Sequence, residues 1–493
     1  MSPAADVRSI EEIAPLIRTR ALSPIDLVRA CLARIEARRD LNAFITVMGD
    51  TAIAAATAAA REIADGRYRG PLHGVPVSVK DLVDVAGTPT TSGSAVPARH
   101  PAADAPIVAR LREAGAIIIG KTNLHEFAFG TTSDETAFGA VKHPLDSRYS
   151  AGGSSAGAAV ALVEGMCFGS VGTDTGGSIR IPSAACGIVG LKPTLGEITC
   201  DGIVPLSATL DHVGPMARTI ADAALLFHVM KGTEHRPAAG TDATLVIGVP
   251  EAYLCERLDP EVRGALTRVR VSLAGAGHDV RVVEIEHAAW TPDVYLHIVL
   301  PEASWYHADT IASHAEAYSP GVRLRLEMGR YVLAEDYVRA LRLRESLTAA
   351  VDHAMDKDGC DVLLLPTLPI PAPPLGAASV EVDGRQEPVR SAMLRLTQLF
   401  NLTGHPAIAI PSGTTQGGWP VSMQLVGRRG STEALLSAAE TASNHMTSHM
   451  TSGGSGTVGG GDRGTSGRSS PSLTPGGTGT SGWAGGWLMT SGG

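Results

Sequence analysis

Over the first 65 residues, apolar positions recur at the three-to-four spacing of amphipathic helices. Ser9-x-x-Glu12 ahead of an apolar periodic run is a capping-box pattern. Ser23-Pro24 with Asp26 sets a cap, an N1 proline and a first-turn acid together. The alanine-rich stretch 51–64 predicts a third helix, so residues 1–65 read as a helical layer of the main domain. The pattern then changes. Gly74-Val75-Pro76-Val77-Ser78-Val79-Lys80 alternates with period two, which predicts a strand. Residues 104–114 predict a capped helix, 116–120 a short β-branched strand, and 154–165 a small-residue helix opening at a serine cap. Segments 221–230, 245–249 and 361–366 continue the alternation. Such a chain builds an α/β layered fold around a mixed sheet, here expected over residues 66–442. From residue 443 to 493 the chain is Gly/Ser/Thr-rich and aperiodic, a composition expected to stay disordered. Its doubled His-Met (His445-Met446, His449-Met450) resembles a cloning-derived extension.

Composition narrows the partners. The 493 residues are 44% hydrophobic and 18% charged, and 41 Lys plus Arg against 50 Asp plus Glu leave a net charge of −9. An acidic chain without a basic block is a poor match for nucleic acid or an anionic membrane surface. No apolar run approaches the ~20 residues of a spanning helix, and the N-terminus lacks the apolar core of a signal peptide. Six scattered cysteines, without CxxC pairs, read as reduced thiols of a cytoplasmic protein. His125-Glu126 lacks the second histidine of a zincin, so no metal and no cofactor is expected.

The chemistry concentrates between Ser150 and Thr194. Gly152-Gly153-Ser154-Ser155-Ala156-Gly157 is followed by Gly172-Thr173-Asp174-Thr175-Gly176-Gly177-Ser178-Ile179-Arg180, placing Ser154 and Ser178 24 residues apart. Glycines at 176 and 177 leave backbone N–H groups unobstructed, as an oxyanion site requires. Gly153-Ser154-Ser155-Ala156-Gly157 also matches the nucleophile elbow G-x-S-x-G. That motif needs a hydrophobic strand before it, and here His143 to Ser150 is polar and broken by Pro144.

These segments resemble the amidase signature hydrolases, and the resemblance extends to about residue 440. It includes Gly74-Val75-Pro76-x-x-x-Lys80-Asp81, Gly120-Lys121-Thr122-Asn123, Gly190-Leu191-Lys192-Pro193-Thr194, Leu210-Asp211-His212-x-Gly214-Pro215 and Phe400-Asn401-Leu402-Thr403-Gly404. The resemblance implies a mixed sheet covered by helices on both faces. It also implies a Ser–cisSer–Lys triad, with Ser178 as nucleophile, Ser154 as bridging serine after a cis peptide, and Lys80 as base. The N–H groups of Thr175, Gly176, Gly177 and Ser178 would form the oxyanion hole. A serine hydroxyl needs a base, and lysine serves only when neutral, which burial favours. Asp174 and Arg180 are candidates for setting the loop or for a structural ion pair, and Ser155 for capping or hydrogen-bonding support.

Ala128 falls at a substrate-lining position of the family, with Phe127, Phe129 and Thr131 beside it as acyl- or aryl-pocket candidates or as core residues. The expected substrates are small or aryl amides, with carbamates (urethanes) or esters open, acted on by a monomer or homodimer. The rival is the amidase subunit of a tRNA-dependent glutamine amidotransferase. Its Asp-Gly-x-Arg-Tyr-Gly stretch is absent, the comparable region reading Ala317-Tyr318-Ser319-Pro320-Gly321-Val322-Arg323.

Overall fold

Short runs of consecutive buried residues dominate the middle of the chain, and they form the sheet. The strands are β1 (Phe44–Val47), β2 (Pro76–Lys80), β3 (Ile117–Thr122), β4 (Gly169–Asp174), β5 (Val189–Lys192), β6 (His212–Ala217), β7 (Val246–Pro250), β8 (Asp279–Val283), β9 (Val362–Pro366), β10 (Ser379–Val382), β11 (Arg385–Pro388), β12 (Ala407–Thr414) and β13 (Pro420–Gly427). The computed structural model describes residues 9–235 and 243–447. In it, eleven strands form one sheet in the order β1-β3-β2-β4-β6-β5-β12-β13-β9-β7-β8, and β10 and β11 make a separate hairpin. The sheet is mixed: β2 runs parallel to β3 and β4, whereas β4 and β6 are antiparallel. Every residue of β2, β3, β4, β6 and β9 is buried, so both faces of the centre are covered. The edge strands β1 and β8 are partly open to solvent.

Local signals explain several helices. Ser9 and Glu12 close the reciprocal capping box of Ile10–Arg18, and the Ser23 hydroxyl accepts from Ile25 N–H ahead of Pro24–Ala37. Two caps differ from expectation. The helix Pro106–Glu113 has no side-chain cap, because Asp104 instead accepts from Ala86 N–H and pairs with Arg112. The helix Ala156–Val163 opens without a serine cap, because the Ser155 hydroxyl is engaged by β4. The N-terminal segment also contributes β1, which pairs antiparallel with β3 at the sheet edge. The helix Thr432–Thr447 runs past the expected limit at 442 and buries Met446 completely, so the first His-Met pair belongs to folded structure. The rest of the expected tail, 448–493, lies outside the described residues. Among the described residues no helix is long and apolar enough to cross a membrane.

Candidate active site

Because β2 lies between β3 and β4 in parallel register, its C-terminal residue Lys80 ends beside the C-terminal half of β4. Lys80 is fully buried. Its Nζ donates to Ser154 Oγ at 2.8 Å and to Thr173 Oγ1 at 2.7 Å. No carboxylate forms an ion pair with it among the described residues. Burial therefore dominates and lowers its pKa from 10.5 to about 7, while the more distant charges of Asp174 and Asp211 oppose that shift.

Ser154 follows a cis peptide from Gly153. The chain is threaded tightly there: a Cβ on Gly152, at φ +79°, would lie 2.8 Å from Pro182 Cα, and one on Gly153 2.8 Å from Thr131 C. The Ser154 carbonyl accepts from His125 N–H at 3.2 Å and from the Ser133 hydroxyl at 3.3 Å. The elbow reading fails here, since the residues before Gly153 contribute only isolated bridges and no strand. Ser155 ties the pieces together. Its N–H donates to Ser178 O at 3.2 Å, its hydroxyl donates to Thr173 O at 3.2 Å, and it accepts from Thr173 N–H at 3.4 Å.

Ser178 closes a turn between β4 and the helix Arg180–Cys186 and is 6% exposed. The backbone N–H groups of Thr175, Gly176, Gly177 and Ser178 have no acceptor among the described residues. A buried donor without a partner is costly, and here four fall in one turn. The turn is braced from outside. Thr175 Oγ1 donates to Asp211 Oδ1 at 2.5 Å, and Thr397 Oγ1 donates to Gly176 O at 2.6 Å. Beneath it, Asp174 and Arg180 form a completely buried ion pair at 3.1 Å. Arg180 also donates to Gln424 Oε1, Thr397 O and Asn401 Oδ1, and Asn401 Nδ2 donates back to the Asp174 carboxylate at 2.8 Å. Burial alone would raise the Asp174 pKa, but the Arg180 guanidinium outweighs it and holds the carboxyl well below the usual range. Asp211 differs: burial dominates and lifts it to about 6 despite bonds from Thr175, Leu206 and Ser207.

Lys80 and Ser154 are thus in direct contact, whereas Ser178 joins them through the Ser155 backbone; no hydrogen bond links its hydroxyl to Ser154 among the described residues. Phe127 and Ala128 both adopt positive φ, +49° and +58°. Phe127 packs against His307 at 4.4 Å and Tyr318 at 5.4 Å between ring centroids. The guanidinium groups of Arg325 and Arg390 lie 5.4 and 5.8 Å from the centroid of the Phe129 ring. Ala128 and Thr131 are both buried. The reading from sequence missed Thr173, Asp211, Thr397 and Gln424 as supports. Thr173 and Asp211 stood inside the quoted segments, whereas Thr397 and Gln424 carried no local signal.

Comparison with known proteins fits this geometry. The family described as amidase matches residues 26–436. The chain belongs to the amidase signature family. It is therefore a hydrolase acting on amide C–N bonds. An amidase from Pseudomonas putida is 38% identical over 427 residues, covering 83% of this chain and 90% of that protein. A glutamyl-tRNA(Gln) amidotransferase subunit from Desulfotalea psychrophila is 35% identical, covering 87% and 96%. A solved amidase structure superposes with a TM-score of 0.83 at 38% identity, covering 87% of this amidase and 98% of that chain.

Proposed function

We propose that this amidase works through an acyl-enzyme on Ser178, with Ser154 relaying the proton to Lys80. The observation that carries the reading is the buried Lys80 Nζ, held 2.8 Å from Ser154 Oγ with its pKa lowered to about 7. A neutral lysine accepts a proton; a charged one cannot. In the proposed sequence Ser178 Oγ attacks the carbonyl carbon and its proton passes through Ser154 to Lys80. The N–H groups of 175–178 hold the oxyanion. The proton then returns by the same path to the leaving nitrogen, and water hydrolyses the acyl-enzyme. Losing one such oxyanion donor typically costs a factor of about 10²–10³ in rate.

The acyl site is proposed along Phe127, Ala128, Phe129 and Thr131. Its support is that this loop is bonded to the Ser154 carbonyl through His125 and Ser133. The substrates proposed are small or aryl amides and carbamates, handled by a stand-alone enzyme in the cytoplasm. Organisation of segment 1–65 as a layer within one catalytic domain belongs to the same reading. The rival reading, as one component of an amidotransferase, is favoured by the 35% identity to such a protein. Against it, the segment that would carry that component's stretch opens the helix Pro320–Gly329, clamped where Glu126 accepts from Ser319 N–H and Glu135 from Gly321 N–H. Mass spectrometry after treatment with an organophosphonate should place one adduct on Ser178, and Ser178→Ala should lose a factor on the order of 10⁴–10⁶ in kcat. An adduct on Ser155, or turnover of glutamine alone and only with partner subunits, sinks the proposal.

A further inference from the structure

The unexplained charge near this site is Arg390. It sits in the helix Val389–Leu394, one turn before Leu394 and therefore on the same face. Leu394 Cδ2 and the Tyr295 hydroxyl lie 3.0 and 2.5 Å from where a Cβ on Gly176 would be, so this face abuts the proposed oxyanion turn. On its other side the Arg390 guanidinium lies over Phe129, in the loop proposed to line the acyl site. A cleft lined by Leu296, Glu387, Arg390, Leu394, Arg395 and Gln398 opens beside it.

Arg390 has no anionic partner among the described residues. Its Nε is sealed from solvent with no hydrogen bond, and neither of its Nη groups meets an acceptor. The nearby carboxylates are engaged elsewhere: Glu387 with Arg257 at 2.7 Å, and Glu135 with Arg325 at 2.8 Å and His125 at 3.2 Å. The side chain is half-buried, with Nε sealed; burial opposes its charge, and Arg325 is close enough to repel it as well. A guanidinium can be neither deprotonated nor left cheaply unpaired. The Phe129 ring contributes a cation–π attraction that is weaker than a desolvated ion pair.

We propose that Arg390 anchors a carboxylate carried on the acyl part of the substrate, so that the preferred substrates are monoamides or monoanilides of dicarboxylic acids. The planar fork would take both oxygens of the carboxylate. This rests on the placing of the acyl-enzyme at Ser178 and names the acyl group that reading leaves open.

The test uses the full-length enzyme and the mono-p-nitroanilides of succinate, glutarate and adipate beside their methyl esters. At one chain length at least, the acid should exceed its ester at least tenfold in kcat/KM, chiefly through KM. Arg390→Gln should bring that ratio within twofold of one, and Arg390→Lys should keep part of it. A wild-type ratio near one at all three lengths overturns the proposal. So does a ratio unchanged in Arg390→Gln, or an equal loss on acid and ester with a lowered Tm, which marks a brace for Phe129. Calorimetry of glutarate monoamide binding to Ser178→Ala, with and without Arg390→Gln, reads the same contact without turnover. A tenfold weakening is expected, and equal affinity overturns it. If Ser178→Ala stays active, the nucleophile assignment fails while the acid-to-ester ratio still reports on Arg390.

Discussion

Lys80 is the last residue of β2 and Lys121 the last but one of the neighbouring parallel β3, one residue apart in register, and both are fully buried. Their surroundings differ. Lys121 Nζ sits 2.8 Å from the Asp81 carboxylate and donates to Pro89 O and Thr90 Oγ1, whereas Lys80 meets two hydroxyls. Burial lowers the pKa of both, but at Lys121 the adjacent Asp81 charge favours the ammonium. At Lys80 the helpful charges are remote and the value falls to about 7. Burial makes a lysine expensive to charge; the missing counter-ion is what fits it for use as a base. Lys121 therefore holds Asp81, which also accepts from Thr91, beside the proposed base.

The comparison breaks most sharply at Lys80. Lys80→Met should cut kcat by a factor of about 10²–10⁴, measured on any turned-over anilide, and near-normal turnover at neutral pH would show another base at work. In the wild type, activity should rise with pH through about 7 as Lys80 loses its proton. The folded pKa lies below the ordinary 10.5, so between about 7 and 10.5 the unfolded chain binds more protons. Stability should accordingly climb with pH across that window, by up to about 1.4 kcal/mol per pH unit, and denaturant titration of Lys80→Met should lose this slope.

On the paired side, Asp81→Asn leaves Lys121 buried without its anion and should destabilise the fold by about 3–5 kcal/mol, read from urea midpoints. A change under about 1 kcal/mol would mean the pair is screened, and the contrast with Lys80 would lose its basis. Thr173→Val removes one acceptor of Lys80 and should cost about tenfold in kcat, the worth of one hydrogen bond, while moving the acid limb to lower pH. Asp211→Asn should act least. Loss of its remote charge moves the acid limb the same way by a fraction of a unit, and an upward shift would contradict the sign of that interaction.

The strand carrying Lys80 was legible because its apolar alternation is local, and the two glycine-flanked serines because only glycine tolerates such close approaches at 152 and 153. The helix caps at Ser9 and Ser23 were legible for the same reason, since a cap bonds within three residues. Ser155 left two readings open, capping or hydrogen-bonding support, and its hydroxyl takes the second by bonding across to β4, a choice local pattern cannot make. Strand β1 was missed because four residues between helices carry no periodic signal of their own. Phe127 and Phe129 were ambiguous from sequence, since an aromatic side chain reads the same in a core and at a pocket wall. Their contacts with His307, Tyr318, Arg325 and Arg390 come from segments about 180 to 260 residues away.

By itself, the sequence determined the α/β alternation and the residue types at 80, 154 and 178, because spacing and glycine placement are written along the chain. Tertiary structure alone decided which buried lysine has a carboxylate beside it. It decided, too, that Asp211 and Thr397 brace the turn and that Arg390 is left without an anion. Those facts depend on distances between strands and helices far apart in sequence, where the balance of burial against charge is struck.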